Sequence, residues 1–478
     1  MRRTTLSVLS ALAILLSGMI VPEAAAQSRR DKEQTYVLEK PYEVKKLVPP
    51  TGKKIKNVIL MIGDGMSLMH MYSAWTANRG KLWLDNSQYT GLSKTYCANR
   101  LITDSGAGGT ALATGHKTNY HMVGVDPEGK PLESLATLAN KKGLSSGIAV
   151  TCRLWDATPA DFCCHNTDRD AEAEIVADYV NCGVDYVFGG GSKLFENRAD
   201  GRDLFKELRE KGYQTPRSWE ELAKIQKGKV FCVTDTVDTP LPAERGDLLA
   251  RASMKAIDLL GQNPEGFFLM VEGGKIDWSC HSNDPATTFE EVIDMDNAIK
   301  VAYEFYKKHP KETLIVVTAD HETGGLGLGT GKYELHLKAL KNQKQSQDLL
   351  SVAITDLRKA KGHDVTWEDA KALLTEKMGF WKELPLTWEQ EKILRDEFEQ
   401  SFVKNKVVFE ETLYSKTEPL AASARKVMSQ IAMVGWTSGS HTAGYVPVYA
   451  VGAGSKEFAG KYDNTEIPKR IAKVAGYK

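Results

Sequence analysis

Short, nearly unbroken apolar runs recur along this chain, and helical stretches alternate with them. The first, at 57–63, reads NVILMIG; others stand at 147–151, 185–188, 229–233, 267–271 and 313–319. A strand with one solvated face alternates apolar and polar residues, whereas a strand covered on both faces is apolar throughout. Helical stretches at 132–142, 171–182, 247–260 and 288–309 separate the runs. Covered strands alternating with helices give a layered α/β fold: a three-layer sandwich around a central, mostly parallel sheet. In the stretch 288–309, Phe289, Val292, Met295, Ile299, Ala302 and Tyr306 mark one apolar face, and Thr288 with Glu291 suits a capping box at its start.

The two ends and one interior segment depart from this pattern. Arg2 and Arg3, the apolar run 6–20 and Ala24-Ala25-Ala26 read as a cleavable secretory signal over 1–26, which predicts a periplasmic or secreted protein without a membrane span. Residues 27–52 read as a surface arm. The α/β core is expected over 53–331 and again over 431–478. Between them, 332–430 is charged and helical, with helix starts at Thr366/Asp369 and Thr387/Gln390, and reads as an inserted crown or lid. Pro447, within the apolar run 446–451, predicts an edge or terminal strand, since proline cannot donate to a ladder. With 62 Lys and Arg against 62 Asp and Glu, the basic excess of a nucleic-acid binder is missing. Seven cysteines leave at least one thiol unpaired within a single chain. Pairing of Cys163 or Cys164 with Cys182 stays open, and no CxxC spacing marks a structural zinc site.

Polar residues collect where the apolar runs end. Asp64, Glu272, Asp320 and His321 directly follow three of them, and Asp156 with Thr158 lies just past a fourth. In open α/β sheets the carboxyl ends of the strands are where ligands bind. Asp277 and His281 are four apart, so on a helix they share a face. His441 stands in a loop-like Gly-Ser-His-Thr context. Each alone also fits a plainer role, as a cap, a surface pair or a loop histidine. As a set they offer carboxylate and imidazole ligands and no thiolate, which suits zinc with magnesium. Ser105 opens the small-residue stretch Ser-Gly-Ala-Gly-Gly, where free N–H groups at a helix start favour an anion. No Gly-x-Ser-x-Gly elbow surrounds it, so metal coordination is the better route to its activation. Arg169 offers a planar fork for phosphate oxygens.

Taken together these motifs resemble the bacterial alkaline phosphatases. Ile102-Thr-Asp-Ser-Gly-Ala-Gly-Gly-Thr110 is similar to that family's nucleophile signature. Asp64-Gly-Met, Asp156-Ala-Thr-Pro159, Arg169, Val271-Glu-Gly, Ile276-Asp277, His281, Ala319-Asp-His321 and the loop of His441 follow in the family's order. The resemblance implies a phosphomonoesterase, active on phosphate monoesters and releasing inorganic phosphate, with Ser105 as the nucleophile that becomes phosphoserine. It implies one zinc on Asp277, His281 and His441, and a second on Asp64, Asp320 and His321. It implies magnesium on Asp64, Thr158 and Glu272, with Asp156 reaching it through water, and Arg169 as the phosphate clamp. A homodimer is expected, with a monomer as the alternative. A related diesterase or sulfatase is the competing enzyme reading, but Ser105 and the Asp156, Thr158 and Glu272 set argue against it. A binding protein without turnover would lack a nucleophile or ligand, and none is missing. One residue departs from the pattern: Trp278 stands where several members carry Lys or His, which implies a weaker hold on product phosphate.

Overall fold

The computed structural model describes residues 38–45, 54–235, 242–331 and 333–477. The expected signal segment 1–26 and most of the arm lie outside the described residues. Residues 38–45 lie along the core: the Leu38 N–H donates to the Ala77 carbonyl, and the Tyr42 hydroxyl donates to the buried Asp296. No helix among the described residues is long and apolar enough to cross a membrane.

Nine strands form one sheet. In chain order they are β1 (Asn57–Gly63), β2 (Tyr89–Lys94), β3 (Ser145–Arg153), β4 (Tyr186–Gly190), β5 (Val230–Val233), β6 (Phe267–Gly273), β7 (Thr313–Thr318), β8 (Tyr445–Gly452) and β9 (Gly460–Asp463). Their order across the sheet is β9-β2-β8-β7-β1-β6-β3-β4-β5, and only β8 runs against the others. Both faces are covered, as the unbroken apolar runs require. In β1, Ile59 and Met61 join one apolar cluster while Val58, Leu60 and Ile62 join the other; Leu269 and Met270 of β6 divide the same way. The result is a three-layer α/β sandwich.

Two local expectations are corrected. The long helix Pro285–Lys308 starts one turn before Thr288. Asp284 is its cap, accepting from the Thr287 N–H, and Pro285 fills the first turn, where a missing N–H costs nothing. Its apolar face is buried as expected. Glu291 is therefore released from capping. It forms a two-pronged ion pair with Arg245 at 2.6 and 2.7 Å, and Asp294 adds a third contact at 2.8 Å. The second correction concerns Pro447. Its strand β8 lies inside the sheet, between β7 and β2. The Pro447 carbonyl accepts from Thr318 Oγ1, so its missing N–H faces β7, and the β7 pairing begins only at Tyr449. Proline is tolerated there because that neighbouring strand has already ended.

Between β7 and β8 the chain leaves and returns through two paired short strands, Gly327–Leu328 and Val434–Gly435. The excursion contains the helices Gln347–Lys361, Trp367–Met378, Trp388–Phe398 and Pro419–Ala432, with both expected capping boxes present at Thr366 and Thr387. All seven cysteines are among the described residues and none is bonded to another.

Arg245, Glu291 and Asp294 are almost wholly buried, so removing the cation strands two carboxylates in the core. Arg245→Ala is expected to lower unfolding stability by about 3–5 kcal/mol, measured by denaturant titration. A loss within about 0.5 kcal/mol, the range of ordinary surface substitutions, would show that the triad carries no such weight.

Candidate active site

The parallel register brings the strand ends to one level. Ile62 pairs with Glu272 on one side and Thr318 on the other, and Glu272 pairs with Val150. The neighbouring strands β3, β6, β1 and β7 thus release Asp156, Glu272, Asp64 and Asp320 at the same end of the sheet. Three residues past Ile62 the chain must turn sharply. Gly65 does so at φ +68°, and a side chain there would strike Thr323 and Asp277.

Ser105 is the first residue of the helix Ser105–Thr114, every residue of which is buried. The cap is Asp104, whose carboxylate accepts from the Gly106 and Ala107 N–H groups. Asp104 also holds Arg169, at 3.1 Å from Nη1. The small residues let this helix sit deep: a Cβ on Gly109 would lie 2.2 Å from Asp161. Ser105 Oγ lies 3.1 Å from His321 Nε2.

The structure gathers two clusters of candidate ligands beside this hydroxyl. In the first, Asp277 and His281 project from one face of the helix Lys275–His281 and meet His441. The two imidazole Nε2 atoms stand 3.1 Å apart. Each ring's Nδ1 is 2.7–2.8 Å from a backbone carbonyl, Gly439 for His281 and Thr103 for His441. A carbonyl only accepts, so both Nδ1 atoms carry a proton and both Nε2 atoms are turned toward each other and toward Asp277, open to a proton or a metal ion. In the second cluster, His321 Nε2 lies 3.1 Å from Asp320 and 3.4 Å from Asp64. One oxygen on each of Asp64, Asp277, Asp320, Glu272 and Thr158 is buried without a hydrogen-bond partner. Buried acceptors left unpaired in this number call for cations. The donor set, carboxylate, imidazole and hydroxyl, fits zinc and magnesium.

The same end of the fold opens into a cavity of about 800 Å³ lined by Asp104, Arg169, His281 and His441. Leu101, Ile102 and Leu413, all exposed, give its mouth an apolar side. The sequence model of the alkaline phosphatase family matches residues 55–477. The chain belongs to the alkaline phosphatase family. Alkaline phosphatase 4 of Bacillus subtilis is 33% identical over 440 residues, covering 88% of this chain and 89% of that one. The cold-active alkaline phosphatase of a psychrophilic Shewanella superposes with a TM-score of 0.74 at 29% identity, covering 88% of this chain and 99% of that one. A mutant of the TAB5 alkaline phosphatase, solved with Mg bound in its M3 site, gives 0.64 at 26% identity, covering 90% of this chain and 100% of that one. As an alkaline phosphatase, the chain is a phosphomonoesterase.

Every site residue expected from the sequence of this alkaline phosphatase converges on this end of the sheet. Three others take part without having been assigned a role in the sequence reading. Asp104, inside the quoted Ile102–Thr110 stretch, caps the helix Ser105–Thr114 and holds Arg169. Thr323, two residues past His321, contacts both Asp277 and His321 and so ties the two clusters together. Tyr414 arrives from the insertion and meets His281 edge-on, with ring centroids 5.4 Å apart. The motif spacing held a hint only for Asp104.

Confining so many carboxyls shifts their titration. Burial, and then the charges of Asp320, Asp277 and Glu272, push Asp64 well above the ordinary carboxyl range. Burial lifts Glu272 likewise, against a hydrogen bond from Cys152. Burial raises Asp156 to about 6, against the pull of Arg169. Asp277 goes the other way: burial opposes its charge, but the imidazoles of His281 and His441 outweigh burial and hold it far below. The metal-free fold therefore retains protons on Asp156 between 3.8 and about 6 that the unfolded chain has released. A folded state that binds more protons loses stability as pH rises through that window. The chelated protein's melting temperature should fall from about pH 4 to about pH 6.5, and zinc with magnesium should abolish the fall by favouring the ionised forms. A chelated protein that grows more stable across the window would contradict this electrostatic picture.

Proposed function

We propose that this alkaline phosphatase is a secreted, metal-dependent phosphomonoesterase that works through a phosphoserine on Ser105 at a two-zinc plus magnesium site. One observation carries the reading: His281 and His441 turn their Nε2 atoms toward each other 3.1 Å apart, with Asp277 at 3.3 and 3.6 Å from them. A cation would satisfy all three groups at once. Asp277, His281 and His441 would hold one zinc, and Asp64, Asp320 and His321 the other. Asp64, Thr158 and Glu272 would hold magnesium, with Asp156 at one remove. When bound, these ions lower the pKa of a nearby hydroxyl or water and balance the charge of phosphoryl oxygens.

The chain's own groups supply position. Ser105 Oγ bonds to phosphorus as its O–H proton leaves, and the alcohol departs on the opposite side, protonated from solvent. Water then attacks the same phosphorus, the Ser105–phosphorus bond breaks, and inorganic phosphate is released as Ser105 regains its proton. Arg169, held by Asp104, donates in parallel to the non-bridging oxygens through both steps. A loose transition state demands little beyond such alignment and charge balance.

The test is cleavage of p-nitrophenyl phosphate at alkaline pH, with and without chelator, combined with trapping of labelled phosphoenzyme. Chelation should abolish turnover, zinc plus magnesium should restore it, and Ser105→Ala should form no phosphoenzyme and lose on the order of 10³-fold or more in kcat. Turnover that survives chelation would refute the metal assignment. Phosphoenzyme in Ser105→Ala would refute the nucleophile.

A further inference from the structure

The insertion between β7 and β8 reaches the site through a small hairpin. Glu410–Glu411 pairs with Lys416–Thr417, and the connecting residues Thr412 and Leu413 line the same cavity as Arg169 and His441. Tyr414 follows in that turn, its N–H bonded to Thr412 Oγ1. Its ring lies flat on Trp278, with centroids 4.6 Å apart and planes 11° apart, and it meets His281 edge-on. Trp278 directly follows Asp277 in a wholly buried helix and also carries the Lys275 ammonium, 3.2 Å from its ring centroid. The aromatic stack therefore fixes where the phenol points.

That direction is toward the reacting end of the site. The charges acting on the Tyr414 hydroxyl are those of Asp277, Arg169, Asp156 and Asp64. The turn itself is held through the backbone N–H groups of Tyr414 and Ser415, which donate to Thr412 Oγ1. A phenol O–H whose ring is fixed between Trp278 and His281, in the turn that lines the cavity with Arg169, is a donor placed for an anion.

We propose that Tyr414 is a further substrate-binding residue, its phenol O–H donating to a non-bridging oxygen of the phosphoryl group that Arg169 clamps. The proposal rests on the phosphatase reading above. It gives the insertion a direct part in holding phosphate, and it gives Trp278 the role of a shelf for the residue that makes the contact.

The experiment is calorimetric titration of inorganic phosphate into the full-length protein loaded with zinc and magnesium, comparing the unaltered chain with Tyr414→Phe and Tyr414→Ala. Phe keeps the ring stack and removes only the hydroxyl. A hydrogen bond to a charged oxygen predicts about tenfold weaker phosphate binding in Tyr414→Phe. KM for p-nitrophenyl phosphate should rise by a similar factor, kcat should change less, and the melting temperature should hold. Phosphate affinity within about twofold of the unaltered chain overturns the proposal. So does loss of binding in Tyr414→Ala alone, which would assign Tyr414 to ring contact only. An unaltered, metal-loaded chain that neither binds phosphate nor cleaves the ester overturns the phosphatase reading itself, and that result is read before any variant is compared.

Discussion

Mutual repulsion among buried groups of like character is the constraint on which this structure depends. Asp64, Glu272, Asp277 and Asp320 are all within 4% of complete burial, and two imidazole Nε2 atoms are turned toward each other. Isolated, such an assembly is costly: charges taken out of water need partners, and carboxyls without them retain protons. The fold holds these groups in place through the apolar packing on both faces of the sheet. Divalent ions convert the same repulsion into affinity. The groups that destabilise the bare site are the ones proposed to bind and orient a phosphoryl group once charge is balanced.

The scaffold that imposes this geometry is the parallel sheet. Its register sets the carboxyl ends of β3, β6, β1 and β7 at one level, and apolar clusters on both faces prevent any of these strands from slipping. A slip of one residue would turn a ligand from the site toward a helix layer. The nucleophile helix is admitted at close range because Gly108 and Gly109 have no side chains, with Asp320 and Asp161 against them. Asp104 then joins two roles in one carboxylate: it caps the helix that begins at Ser105, and it holds the Arg169 guanidinium. The insertion completes the enclosure from above through its Glu410–Thr417 hairpin.

Much of this was legible in the sequence, for physical reasons. Unbroken apolar runs reveal strands covered on both faces, and polar residues at their ends reveal which edge of the sheet carries chemistry. The four-residue spacing of Asp277 and His281 already gives them a common helix face. What escaped was decided by long-range competition. Thr288 and Glu291 looked like a helix start, but Asp284-Pro285 offered a better cap and Arg245 claimed Glu291. Pro447 looked like an edge residue, yet it lies in an interior strand where β7 has ended, a length mismatch no local pattern records. Tyr414 and Thr323 were invisible because their roles arise from contacts across more than 40 residues of chain, to Trp278 and Asp277.

The most direct test of this picture is anomalous diffraction at the zinc edge from crystals of metal-loaded protein. Two strong peaks are predicted, one among Asp277, His281 and His441 and one among Asp64, Asp320 and His321 beside Ser105. Zinc found only at the exposed surface group of His121, Asp168 and Asp170, with no peak between His281 and His441, would contradict it.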